Sequence, residues 1–211
     1  MSTATDAPAV RRLLATVSML LSYPDDEVLS RVPSVLASID SLPSDARAEI
    51  RSAAVWLKDA HPLRAQSHYV EIFDRRRRAC LYLTYFLNGD TRRRGMALVE
   101  FKEAYQAAGF DLGTGELPDF LPVVLEFGAV GDLPAALEML AVHRSGLEVL
   151  EVALDRFDSP YSQVVSGLLT VVPPAPAGPT AEELALAGPP MEQVGLAPFI
   201  PLDSLTIGAR S

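Results

Sequence analysis

A chain of 211 residues, 49% hydrophobic and 21% charged, is long enough to bury one good-sized core, and its length points to a single domain or slightly more. Its 27 acidic against 18 basic residues give a formal net charge of −9, which argues against general nucleic-acid binding and favours a basic partner. The single cysteine, Cys80, excludes an internal disulfide and a cysteine metal cluster, and suits a reducing cytoplasm.

In chain order the predicted elements are helical almost throughout. Val10, Leu13, Leu14, Val17, Leu20 and Leu21 recur at helical spacing and define the first helix. Arg11 and Arg12 before the apolar run 13–21 resemble an export signal. No small-residue cleavage site follows, however, and the periodicity favours an ordinary helix stopped by Pro24. A shorter helix is expected over about 26–39, interrupted at Pro33. Ser44 is placed to cap a third helix to about Asp59, with Ile50, Ala53, Ala54 and Leu57 inward and His61-Pro62 as its stop. Residues 63–73 form a short helix whose apolar side is Leu63, Tyr69, Val70 and Phe73.

The next stretch, "DRRRRACLYLTYFLNGDTRRRG", runs against the overall charge. Residues 75–94 hold seven Arg and one Asp, a net +6 that leaves −15 on the rest of the chain. Residues 79–87, "ACLYLTYFL", are apolar on every face and predict a central bundle helix. Thr91 is expected to cap a helix lined by Leu98, Phe101, Tyr105 and Ala108, with Gly109 as its stop. Four consecutive arginines cannot share one helix face, because neighbours diverge by about 100°. Arg75, Arg78, Arg92 and Arg94 therefore read as scaffold or anion contacts: solvated, paired with carboxylates such as Glu71, Asp74, Asp90, Glu100 or Glu126, or serving an RNA or anion site.

Past the loop "GFDLGTGE", prolines 118 and 122 fit only near a helix start. A helix from Asp132 carries Leu133, Leu137, Leu140, Leu147, Leu150 and Leu154 on one face, with Gly146 as its candidate break. Ser159-Pro160 predicts the start of a last helix to about Val172. Residues 173–211 hold eight of the 17 prolines and one basic residue, a composition that reads as a flexible tail, with "GLAPFIPL" (195–202) apolar enough to dock on a surface. The five prolines between Ser159 and Ala181 disqualify that uncharged run as a membrane span. The expected fold is all-α: a single-domain helical bundle over 9–172 followed by a Pro/Ala/Gly-rich C-terminal tail, 173–211.

Signals for chemistry are sparse. His68, Glu71 and Asp74 stand at i, i+3, i+6, but bundle metal sites use repeated Glu-x-x-His pairs and no second pair is present, so no metal site is expected. His61 precedes a proline and His143 lies near a helix end. Cys80 sits among apolar residues, where a thiol is inert. No Gly-x-Ser-x-Gly elbow occurs, and "GFDLGTG" is neither a P-loop nor a dinucleotide fingerprint. No catalytic residue is assigned, and the chain is not expected to be an enzyme.

One family resemblance unites these segments. "HYVEIFDRRRRACLYLTYFLNGDTRRRGMALVEFKEAYQAAGFDLGTGELPDFLPVVLEF", "AVHRSGLEVLEVAL" and "SPYSQVV" resemble the nitrate reductase molybdenum cofactor assembly chaperones, the delta subunit family, over about 9–172. The wider TorD/DmsD-like class often carries His after Pro-Asp, where this chain has Phe120. The resemblance implies a cytoplasmic, all-α, non-catalytic chaperone with no permanent cofactor. Such a protein would bind the N-terminal peptide of the apo nitrate reductase catalytic (alpha) subunit and assist insertion of the molybdenum cofactor, bis-molybdopterin guanine dinucleotide. It would time membrane docking of the client and stay outside the finished enzyme. Cofactor-biosynthesis proteins are further partners on this view, nucleic acid is not, and the state is monomer or weak dimer. Carried over by position, Tyr69, Glu71, Phe73 and Asp74 form one wall of the peptide site. Glu116, Pro118, Asp119, Leu125 and Glu126 form the other, carboxylates meeting target Lys or Arg and apolar groups meeting its apolar face. The alternative is an RNA- or anion-binding bundle acting through Arg75–Arg78 and Arg92–Arg94.

Overall fold

Pro8 in the first turn, where its missing N–H costs nothing, opens α1 (Ala7–Leu20) in the computed structural model, which describes residues 6–113, 115–176 and 178–190. The α1 stripe of Val10, Leu13, Leu14, Val17 and Leu20 is fully sequestered, mainly against α7 (Leu121–Val130). Their crossing is tight at Gly128, where a Cβ would fall 2.6 Å from Leu14 Cδ1 and 2.7 Å from Ala136 Cβ. Ala136 belongs to α8 (Leu133–Val142), capped by Asp132, whose Oδ1 accepts from the Ala135 N–H at 3.0 Å.

The second half of the core is α3 (Arg47–Asp59) against α10 (Tyr161–Leu169), with Gly167 giving way to Ile50, and α9 (Arg144–Arg156) against α10. The inward residues expected for α3 are all buried. Ser44 opens a single 3₁₀ turn, Ser44–Ala46, and leaves the cap position to Ala46; its hydroxyl donates to Asp45 instead. Helix α2 (Asp26–Ala37), capped by Asp25, runs through Pro33 without interruption. The break expected at Gly146 falls at His143, whose Nδ1 lies 2.8 Å from the Met139 carbonyl and so carries the proton. Gly146 instead admits Phe86, whose Cβ would stand 3.0 Å from an added methyl.

The largest departure is the expected central helix at 79–87. Arg77–Ala79 is a 3₁₀ turn, 80–82 are extended, and the helix, α5, covers only Leu83–Asn88. The reason is a partner from far along the chain. Leu121 N–H donates to Leu81 O at 2.8 Å and Leu83 N–H to Asp119 O at 2.9 Å, an antiparallel bridge joining Tyr82 to Phe120. No strand forms elsewhere among the described residues, and the fold is all-α. Gly89 (φ +55°) turns the chain toward α6 (Arg92–Ala107), and a side chain there would fall on the Pro190 carbonyl. Thr91 takes the N-cap position of α6, but its hydroxyl donates back to Asn88 O at 2.7 Å.

Within the segment from 173, Ala181–Ala187 forms α11, closed by a Thr180/Glu183 capping box and packed on α9 through Leu184. The apolar stretch 195–202 lies outside the described residues. Among the described residues no helix is long and apolar enough to cross a membrane.

Candidate functional site

Helix α4 (Pro62–Tyr69) continues into one π turn, Val70–Asp74, which widens the helix and redirects the side chains that follow. Tyr69 is buried, donates its hydroxyl to Leu21 O at 3.0 Å, and packs on Phe73 with ring centroids 4.7 Å apart. Phe73, half-buried, meets the Tyr161 ring at 5.0 Å, so both aromatics of this wall are anchored in the core. Asp74 is exposed. Glu71 lines a separate open cleft of about 600 Å³ with Tyr23, Leu63 and Val70, and is held by Arg75 at 3.3 Å and Arg76 at 2.6 Å. Those arginines, hydrogen-bonding through Arg76 first, lower its pKa.

The second wall is mostly structural. Pro118 is buried and its carbonyl accepts the Tyr105 hydroxyl at 2.7 Å. Asp119 is 0% exposed; its Oδ2 accepts from Thr84 N at 3.2 Å and Thr84 Oγ1 at 2.5 Å, with an Arg94 nitrogen 3.8 Å away. Leu125, also 0% exposed, is core and presents no surface to a partner. Glu116 and Glu126 are exposed.

The two walls are linked electrostatically, through Tyr69 and Tyr82. The Tyr69 hydroxyl is pushed far up by burial, then by the negative surroundings of Asp74, Tyr82 and Glu116. Tyr82 is pushed up by burial and then by Glu116, Cys80 and Asp119, with Arg94 opposing. Asp74 from one wall and Glu116 from the other thus act on the same tyrosine. Tyr82, absent from the sequence-based assignment, is the bridge: its ring lies 5.4 Å from Phe120 and 5.5 Å from the Arg94 guanidinium. Only its aromatic character marks it in the sequence. Glu126 stands apart, on a small socket with Tyr105, Phe110 and Val130.

The arginines divide by role. Arg94 is built into the frame, 3.1 Å from Asp90 and stacked on Tyr82. Arg75 and Arg76 hold Glu71, and Arg76 also lies 4.9 Å over the Phe157 ring. Arg78 lines a cleft of about 460 Å³ between α9 and α11, with Phe86, Val152 and Phe157. Arg92 occupies the first position of α6. Among the described residues no three metal-ligating groups converge, and His68 Nε2 lies 2.9 Å from Ser159 Oγ. Burial pushes the Cys80 thiol up, away from the reactive thiolate.

Set beside known proteins, residues 39–166 match the family model described as nitrate reductase delta subunit. The chain is 40% identical over 151 residues to the nitrate reductase-like protein NarX of Mycobacterium tuberculosis (strain H37Rv), covering 72% of this chain and 23% of that protein's length. It is 32% identical over 159 residues to the nitrate reductase molybdenum cofactor assembly chaperone NarJ of Escherichia coli (strain K12), covering 74% of this chain and 67% of NarJ. A crystal structure described as a redox enzyme maturation protein from Archaeoglobus fulgidus superposes with a TM-score of 0.56 at 19% identity, over 81% of this chain and 94% of that one, and so shares the fold.

Proposed function

The chain belongs to the nitrate reductase delta subunit family, and from that premise we propose that it is an assembly chaperone for nitrate reductase rather than a catalyst. It acts in the cytoplasm on the apo catalytic subunit, holding the N-terminal segment until the molybdenum cofactor is inserted, and then releases the client for docking at the membrane. The observation that carries this reading is that two exposed carboxylates from separate elements, Asp74 and Glu116, both act on Tyr69, and Glu116 acts also on Tyr82, whose half-buried ring lies 5.4 Å from Phe120. A basic amphipathic helix finds there both carboxylates and aromatic surface. The net charge of −9 steers such a partner in.

The rival RNA or anion reading of the arginines has less behind it, because Arg75, Arg76 and Arg94 already face carboxylates of their own chain. Deleting the gene and assaying the client tests the chaperone reading. Nitrate reductase is expected to accumulate without molybdenum cofactor, and apo catalytic subunit to co-purify with tagged chaperone. Full cofactor loading in the deletion strain would overturn it.

A further inference from the structure

A socket of about 140 Å³ opens between the outer face of α7 and the segment that follows α6. Its floor is Tyr105, whose ring stands edge-on to Phe127 at 4.7 Å; Phe127 is in turn edge-on to Phe110 at 5.5 Å. One side is set by Gly131, where a Cβ would fall 2.6 Å from Phe110 Cε2, so the Phe110 ring rests on the end of α7. Arg11 holds that end by donating to the carbonyls of Gly128, Ala129 and Gly131 at 3.0, 3.1 and 3.0 Å. The socket is therefore formed by the fold before any partner arrives, which spares an ordering cost on binding.

Its mouth is apolar and acidic together. Phe110 is 38% and Val130 68% exposed, and both line the cavity with Leu112. Asp111 and Glu126 line it too, both exposed and without an ion-pair partner among the described residues. The volume suits one side chain, since small-molecule sites run from about 300 Å³ upward. A long cationic side chain satisfies both parts: the stem lies on Phe110, Leu112 and Val130 while the charge reaches the carboxylates. The exposed Phe110 ring adds attraction for a cation near it.

We propose that this socket receives one lysine or arginine of the client's N-terminal segment, stem inside and charge on Asp111 and Glu126. The proposal rests on the chaperone reading and adds to it an anchor point outside the Tyr69–Tyr82 junction. The test uses the full chain and a fluorescently labelled synthetic peptide of the catalytic subunit's N-terminal segment. Val130→Trp, which fills the socket, and the double variant Asp111→Asn/Glu126→Gln are each expected to weaken binding ~10-fold or more. The double variant also flattens the salt dependence. Both keep the wild-type melting temperature, because all three positions are exposed. Replacing the peptide's basic residues singly with norleucine identifies the anchor as the one whose loss makes the peptide indifferent to the double variant. Unchanged affinity in both variants overturns the socket and leaves the chaperone reading standing. Loss with Val130→Trp alone means an apolar occupant and overturns the cation. Absence of binding to the wild-type chain overturns the chaperone reading itself.

Discussion

The α1–α7–α8 crossing and the 74–120 segment are assembled on different physical principles. At the crossing, Leu14, Leu125 and Ala136 are wholly buried and Gly128 leaves no room for a methyl group. The 74–120 segment is instead set by polar bonds to distant residues: Leu81 to Leu121, Leu83 to Asp119, Thr84 to the Asp119 carboxylate, Tyr105 to Pro118. Over sixteen residues α6 buries only Phe101 and Tyr105. A core of this kind resists changes of volume, whereas a polar frame resists the loss of a partner.

Leu125→Ala should have the largest effect, costing about 4 kcal/mol because the buried site cannot collapse onto the cavity. Urea unfolding checks it, and a loss below about 1 kcal/mol would mean that α7 is not core. Asp119→Ala should cost about 3 kcal/mol by stranding the Thr84 N–H and hydroxyl and removing a carboxylate that faces Arg94, far more than the volume removed accounts for. An equal loss on Asp119→Leu, which restores volume without a partner, keeps the frame polar in origin; recovery by Leu would make it a matter of packing.

Acid should destabilise the fold through two histidines, His68 beside Ser159 and Tyr161 and His143 between α8 and α9. Burial pushes His68 and His143 below the ordinary 6.5, with Arg64 adding to His68 while Glu71 opposes; Met139, Asp119 and Glu100 oppose at His143. Near and below 6.5 the unfolded chain binds more protons than the folded one, so the contribution is complete above that value and is lost as pH falls through the depressed folded values. Urea midpoints should therefore be lower at about pH 5.5 than at about pH 7.5, with a shallower slope in His68→Asn. A midpoint that rises on acidification would contradict the assignment.

Smaller effects sharpen the contrast. Among the described residues the buried Tyr161 hydroxyl has no hydrogen-bond partner, so Tyr161→Phe should be neutral or stabilise by up to about 1 kcal/mol, whereas Tyr105→Phe, which loses the bond to Pro118, should cost about 1 kcal/mol. Met96→Ala on the exposed face of α6 should stay within about 0.5 kcal/mol. A similar loss from both tyrosine variants would remove the distinction between them.

How much was legible in the sequence follows the same division. The stripes of α1 and α3 could be read because amphipathic spacing alone decides which face turns inward. The extended run 80–82 could not, because its backbone partners lie about forty positions away and apolar residues on every face suit a buried strand as well as a helix. Among site residues, Asp74, Glu116 and Glu126 are exposed charges recognisable by type. Tyr69 and Leu125 were not separable from core, since a buried anchor and an exposed one have the same chemistry. Nothing in the sequence pairs Asp111 with Phe110 and Val130, because only the close packing of Phe110 on Gly131 brings them to one cavity.

Calorimetry of the full chain with the N-terminal peptide of the nitrate reductase catalytic subunit, at low and high salt, reads out whether the client segment binds and whether charge holds it. One-to-one binding at about micromolar Kd or tighter is expected, weakening as salt rises. No heat at either salt, together with normal nitrate reductase maturation in a deletion strain, would contradict it.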